Sequence, residues 1–115
     1  PIFQKHQRAR IEQARLESVK VANQLQGQQQ RLEQELALAR QQLALLQQQL
    51  DTEGSELLAQ AEQLRELASQ QLQAGEADYF QYAQSLQAAI ENELQHAELT
   101  ARYNQAILYL EFLIR

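Results

Sequence analysis

Two interleaved seven-residue leucine series constrain this chain more than any other feature. One runs Leu25, Leu32, Ala39, Leu46; the other runs Leu36, Leu43, Leu50, Leu57, Leu64. Separations alternating between 3 and 4 average 3.5 residues, the period of a helix packed along a narrow apolar seam. A strand, whose side chains repeat every second residue, cannot hold that pattern on one face. The stripe is legible upstream at Ile11, Ala14, Ser18, Val21 and Ala22, and downstream at Leu67 or Ala68 and Leu72. Little interrupts it, because the only Pro is residue 1 and the three Gly stand at 27, 54 and 75. The spacing predicts a helix over about 4–73, which as one rod would measure roughly 105 Å at 1.5 Å per residue.

Two places threaten that rod. Gly27 lies inside a glutamine-rich stretch, where a helix-interior glycine costs about 1 kcal/mol relative to alanine. At Asp51-Thr52-Glu53-Gly54-Ser55, the seam positions 53 and 60 become Glu and Gln, and Asp51 or Ser55 could cap a new helix. A kink at 51–55 and a complete chain reversal there are both open, giving two helices or three.

The clearest turn is 74–78. Gly75 suits the left-handed position past a helix end, and Asp78 can cap the next helix or favour its first turn. Beyond it, Tyr79, Ala83, Leu86, Ile90, Leu94, Ala97, Ala101 and Leu108 keep spacings of 3, 4 or their sum. A second helix is predicted over about 78–114, roughly 55 Å long. The expected fold class is all-α: one antiparallel coiled-coil hairpin over 1–115. Its packing seam is expected to comprise Leu36, Leu43, Leu50, Leu57, Leu64, Leu86, Ile90 and Leu94. Folded back, the second helix pairs with about residues 37–73. The first 35 residues are left with no intrachain partner, so their apolar stripe calls for another chain or another segment.

Composition closes off several kinds of chemistry. The chain has no Cys, hence no disulfide framework and no thiolate metal site. No apolar run approaches the ~18 residues of a membrane-spanning helix. His6 and His96 are far apart and lack the companion ligands of a metal centre, so both read as solvated side chains. Neither a Ser-His-Asp arrangement nor a glycine-rich phosphate loop nor a buried carboxylate pair can be argued, so no enzyme activity, cofactor or metal is expected. The first 20 residues carry five cations against two carboxylates, net +3, within a chain of net charge −5. Interleaved acids and missing stacking aromatics argue against nucleic acid as a partner; a locally basic helix end facing lipid headgroups or a partner protein is the alternative. The 24 Gln make about a fifth of the chain. Embedded in leucine heptads, they read as a solvated or closely packed helix face rather than an aggregation-prone tract.

Four segments in register carry a family resemblance. Pro1-Ile2-Phe3 with Ala9-Arg10-Ile11 and Ala14 resembles the start of the long helix in outer-membrane efflux proteins of the TolC type. Leu57-Leu58-Ala59-Gln60-Ala61-Glu62 is similar to the "LLPQAE" stretch of the heavy-metal-efflux branch, with Ala59 where that branch often has Pro. Ala74-Gly75-Glu76-Ala77-Asp78-Tyr79-Phe80 looks like its periplasmic tip turn. Tyr103-Asn104-Gln105-Ala106-Ile107 with Leu110-Glu111-Phe112-Leu113 is similar to its "YNQA…LE[YF]L" close.

The resemblance implies the second periplasmic helical hairpin of a trimeric channel, a tube joining an outer-membrane β-barrel to an inner-membrane efflux pump through a periplasmic adaptor protein. It implies a periplasmic location in a Gram-negative cell, a heavy-metal or cation efflux system, and substrate choice residing in the pump. The tip residues Ala74, Gly75, Glu76, Ala77, Asp78 and Tyr79 would meet the adaptor, with Tyr79 and Phe80 alternatively packing to lock the hairpin. The abrupt start without Met suggests an excised segment, or a C-terminal segment fused to a cation efflux pump. In isolation the chain is expected to self-associate into a dimer or larger bundle. Two further readings are a generic coiled-coil scaffold and the adaptor's own hairpin. The break of the heptads at Gly75 argues against the scaffold, and the lack of flanking β-rich segments argues against the adaptor.

Overall fold

A computed structural model describes residues 2–115, and all of its regular structure is helical. The first limb runs as α1 (Ile2–Gln49), a π-helical turn (Leu50–Gly54) and α2 (Ser55–Gln73); α3 (Tyr79–Ile114) follows the turn. By internal contacts the chain divides into two units, Pro1–Leu38 and Ala39–Arg115. Within the first unit no described side chain is buried.

The second unit is an antiparallel hairpin. Gly54 lies beside His96 and Gln60 receives a hydrogen bond from Asn92 at 3.4 Å, so numbers rise on one limb as they fall on the other, and the long Arg65 side chain reaches back to Glu93. The buried residues are all small: Ala39, Gly54, Ala61, Ala68 and, on α3, Ala89. Small residues at the contact let two helix axes approach toward the short end of the roughly 8–10 Å usual for packed helices. Leu43, Leu50, Leu57, Leu64 and Leu86 flank this line half-buried; Leu36, in the first unit, is also half-buried.

The seam on α3 departs from expectation. Ile90 and Leu94 are 44% and 59% exposed, and Tyr79, Ala83, Ala97, Ala101 and Leu108 are exposed with them. The half-covered line is instead Tyr82, His96, Tyr103 and Leu110, in seven-residue register with buried Ala89. α3 therefore has two apolar stripes, and spacing cannot say which turns inward. The first limb decides it: its small residues leave room for large ones, as where the His96 ring packs over Gly54. His96 is accordingly half-buried rather than solvated, whereas His6 is exposed.

The 51–55 region neither reverses the chain nor starts a helix. Neither Asp51 nor Ser55 caps; the Thr52 and Ser55 hydroxyls instead donate back to the Gln48 and Asp51 carbonyls, each at 2.8 Å. Two heptads beyond Ala39 the seam would fall on Glu53. The buried residue is Gly54, one later, and Ala61 and Ala68 follow it at sevens. A π-turn accommodates one extra residue through its wider i→i+5 loop. It thereby turns Glu53 and Gln60 outward and brings Gly54 and Ala61 onto the seam.

Candidate interaction site at the hairpin turn

The turn is closed by two capping devices written in adjacent residues. Gly75 takes φ +75°, the left-handed conformation that costs a residue with a Cβ roughly 1–2 kcal/mol. Its N–H donates to the Leu72 carbonyl at 3.2 Å while the Glu76 N–H donates to Gln71 at 2.9 Å, the paired bonds of a Schellman motif. Three residues on, the Asp78 carboxylate accepts from the Gln81 N–H at 2.8 Å, and the Gln81 side chain accepts from the Asp78 N–H at 3.1 Å. This reciprocal capping box satisfies two backbone donors that the start of α3 would otherwise leave open. Asp78 is thus the N-cap. Gln81, three residues after it, completes the box, and the Asp-x-x-Gln spacing is the local signal that marks it in the sequence.

Of the six tip residues expected to form a site, Ala74, Gly75, Glu76, Asp78 and Tyr79 are exposed and Ala77 is half-buried. Tyr79 and Phe80 are 80% and 70% exposed, so neither packs inside the hairpin to lock it. A shallow polar depression beside the turn is lined by Gln71, Glu76, Ala77, Gln81, Gln84 and Ser85. The tip therefore offers two aromatic rings and a carboxylate-bearing loop on a backbone held rigid at both ends. Up the hairpin, Arg65 grips Glu93 with two hydrogen bonds at 2.8 and 3.0 Å. Those bonds hold the Glu93 carboxyl below the usual carboxylate range and push the Arg65 guanidinium further up. The pair is solvent-exposed and acts as a register mark between the limbs rather than as reactive chemistry.

Among the described residues no group of three or more His, Cys, Asp or Glu could hold a metal ion. No described helix is long and apolar enough to cross a membrane.

Replacing Gly75 by Val tests the turn directly. The variant is expected to lose about 1–2 kcal/mol in urea unfolding followed by circular dichroism, whereas Glu76→Gln leaves the midpoint unchanged.

The fold and the turn define the class of structure: an antiparallel helical hairpin with a capped, aromatic tip. Compared with protein-family models, curated proteins and solved structures, the chain matches none.

Proposed function

We propose that the chain is a non-enzymatic periplasmic hairpin of an outer-membrane efflux channel component. In this reading it forms part of a tube wall in a tripartite heavy-metal or cation efflux system and meets the periplasmic adaptor at its tip. The observation that carries the reading is the turn. The residues Ala74–Phe80, which bear the most recognisable part of the resemblance, form an exposed tip rather than part of a continuous helix. A left-handed Gly75 and the Asp78–Gln81 box hold that tip in one conformation, which lowers the ordering cost of docking another helical tip. Tyr79 and Phe80 supply exposed aromatic area of the kind that dominates protein interfaces. The long first limb and shorter second limb also agree with the plan that the resemblance implies. In such an assembly, self-association would complete the wall and the pump would choose the substrate.

The test is retention of a purified periplasmic adaptor from a heavy-metal efflux system on the immobilised chain. Binding is expected, and it should weaken at least tenfold in a Tyr79→Ala, Phe80→Ala double variant with unchanged helicity, since each aromatic anchor is worth about 1–2 kcal/mol or more. Failure of adaptors from several such systems to bind, or binding indifferent to the double variant, would overturn the reading.

A further inference from the structure

Only one of the two apolar faces of α3 is covered within the hairpin. The other, marked by Ile90, Leu94, Ala97, Ala101 and Leu108, is exposed along its length. At 100° per residue these five positions fall within a strip about 60° wide. Glutamates border it at helical-neighbour spacing: Glu91 three before Leu94, Glu98 four after it, and Glu111 three after Leu108. None of the three makes an ion pair among the described residues.

The first unit presents the converse surface. Ile11, Leu25 and Leu32 are exposed on one stripe of α1. Arg8, Arg10 and Arg15 stand three or four residues from Ile11 or Ala14, and none of them makes an ion pair among the described residues. Residues 1–20 carry net +3, while residues 39–115 carry four cations against eleven carboxylates, net −7. Ile11 to Leu32 and Ile90 to Leu108 each cover roughly 30 Å of helix. The two surfaces thus match in length and apolar character and are opposite in charge.

We propose that the occupant of the exposed α3 face is a second copy of this chain. The Ile11–Leu32 stripe of one copy lies along the Ile90–Leu108 face of another in the same direction, with Arg8 and Arg15 meeting Glu91 and Glu98, each pair seven residues apart on one side of its stripe. Each chain carries one surface of each kind, so two chains can exchange arms reciprocally or several can join head to tail. The pairing rests on charge and apolar pattern and stands independently of the efflux reading; adaptor binding, measured separately, tests that.

The experiment is light-scattering mass on the full chain across a concentration series, at low and at high salt. Concentration-dependent association that weakens with salt is expected. Arg8→Glu and Arg15→Glu together should weaken it about fivefold, the combined worth of two exposed charge pairs plus the new repulsion. Glu91→Arg with Glu98→Arg should do the same, and a chain carrying both sets should recover the original association. That recovery separates charge pairing from loss of fold. A chain monomeric at every concentration, association indifferent to either double variant, or failure of the combined variant to recover would each overturn the proposal.

Discussion

Gly54→Leu is expected to destabilise the hairpin by about 3 kcal/mol, at the upper end of what overpacking a closed contact costs. A Cβ at this position already meets His96 Cδ2 at 3.1 Å and Leu50 Cδ1 at 3.2 Å. Three further carbons have nowhere to go unless α3 moves away, which also loosens the contacts at Ala61 and Ala89. The matched control is Gly27→Leu. No side chain or other helix lies within 4 Å of a Cβ there, so the substitution should raise helix stability by about 1 kcal/mol through propensity alone. Urea unfolding of the two variants, monitored by far-ultraviolet circular dichroism, should therefore move in opposite directions. Equal shifts would mean that Gly54 is not at a close contact.

Deleting Glu53 should be tolerated, whereas deleting Gln63, ten residues later in the same limb, should not. Removing Glu53 takes out the residue that the π-turn accommodates. Ala39, Leu46, Gly54, Ala61 and Ala68 then fall on an unbroken seven-residue line that an ordinary α-helix can carry. Removing Gln63 instead shortens the interval from Ala61 to Ala68 to six residues and turns Ala68 and Leu64 about 100° off the seam. The lost burial and disrupted packing should cost about 2–4 kcal/mol. Unfolding midpoints of the two deletions against the parent chain decide the matter. Comparable losses in both would show that the π-turn is not what sets the register.

The contrast between these deletions also explains what was legible from residues alone. The leucines at 36, 43, 50, 57 and 64 lie on the covered side whether the seam's other line passes through Glu53 and Gln60 or through Gly54 and Ala61. Their spacing therefore revealed the helix without revealing the phase break. Glu53 and Gln60 on the expected seam mark the place where the seven-residue pattern fails. The remedy, a wider helical turn in place of a kink or reversal, depends on backbone bonding that side-chain periodicity does not encode. The turn at Gly75 was readable because its signal is local: a glycine in the left-handed region and a carboxylate capping three residues ahead are decided within eight residues of chain. At α3 the expected seam holds Leu86, Ile90 and Leu94 but not Tyr82, Ala89, His96 and Tyr103, because both stripes satisfy the same period.

By itself the sequence determined the helical class, the two limbs and their approximate ends, and the capped turn between them. Each follows from local preference or from periodicity along one helix. Only the tertiary structure decided that the core is a line of alanines with one glycine, that a π-turn inserts the residue aligning them, and that α3 faces inward with its histidine and tyrosines. Those outcomes depend on how closely two helices can approach. That distance is set by the fit of large side chains on one limb against small ones on the other, a property of the pair that neither limb's pattern contains alone.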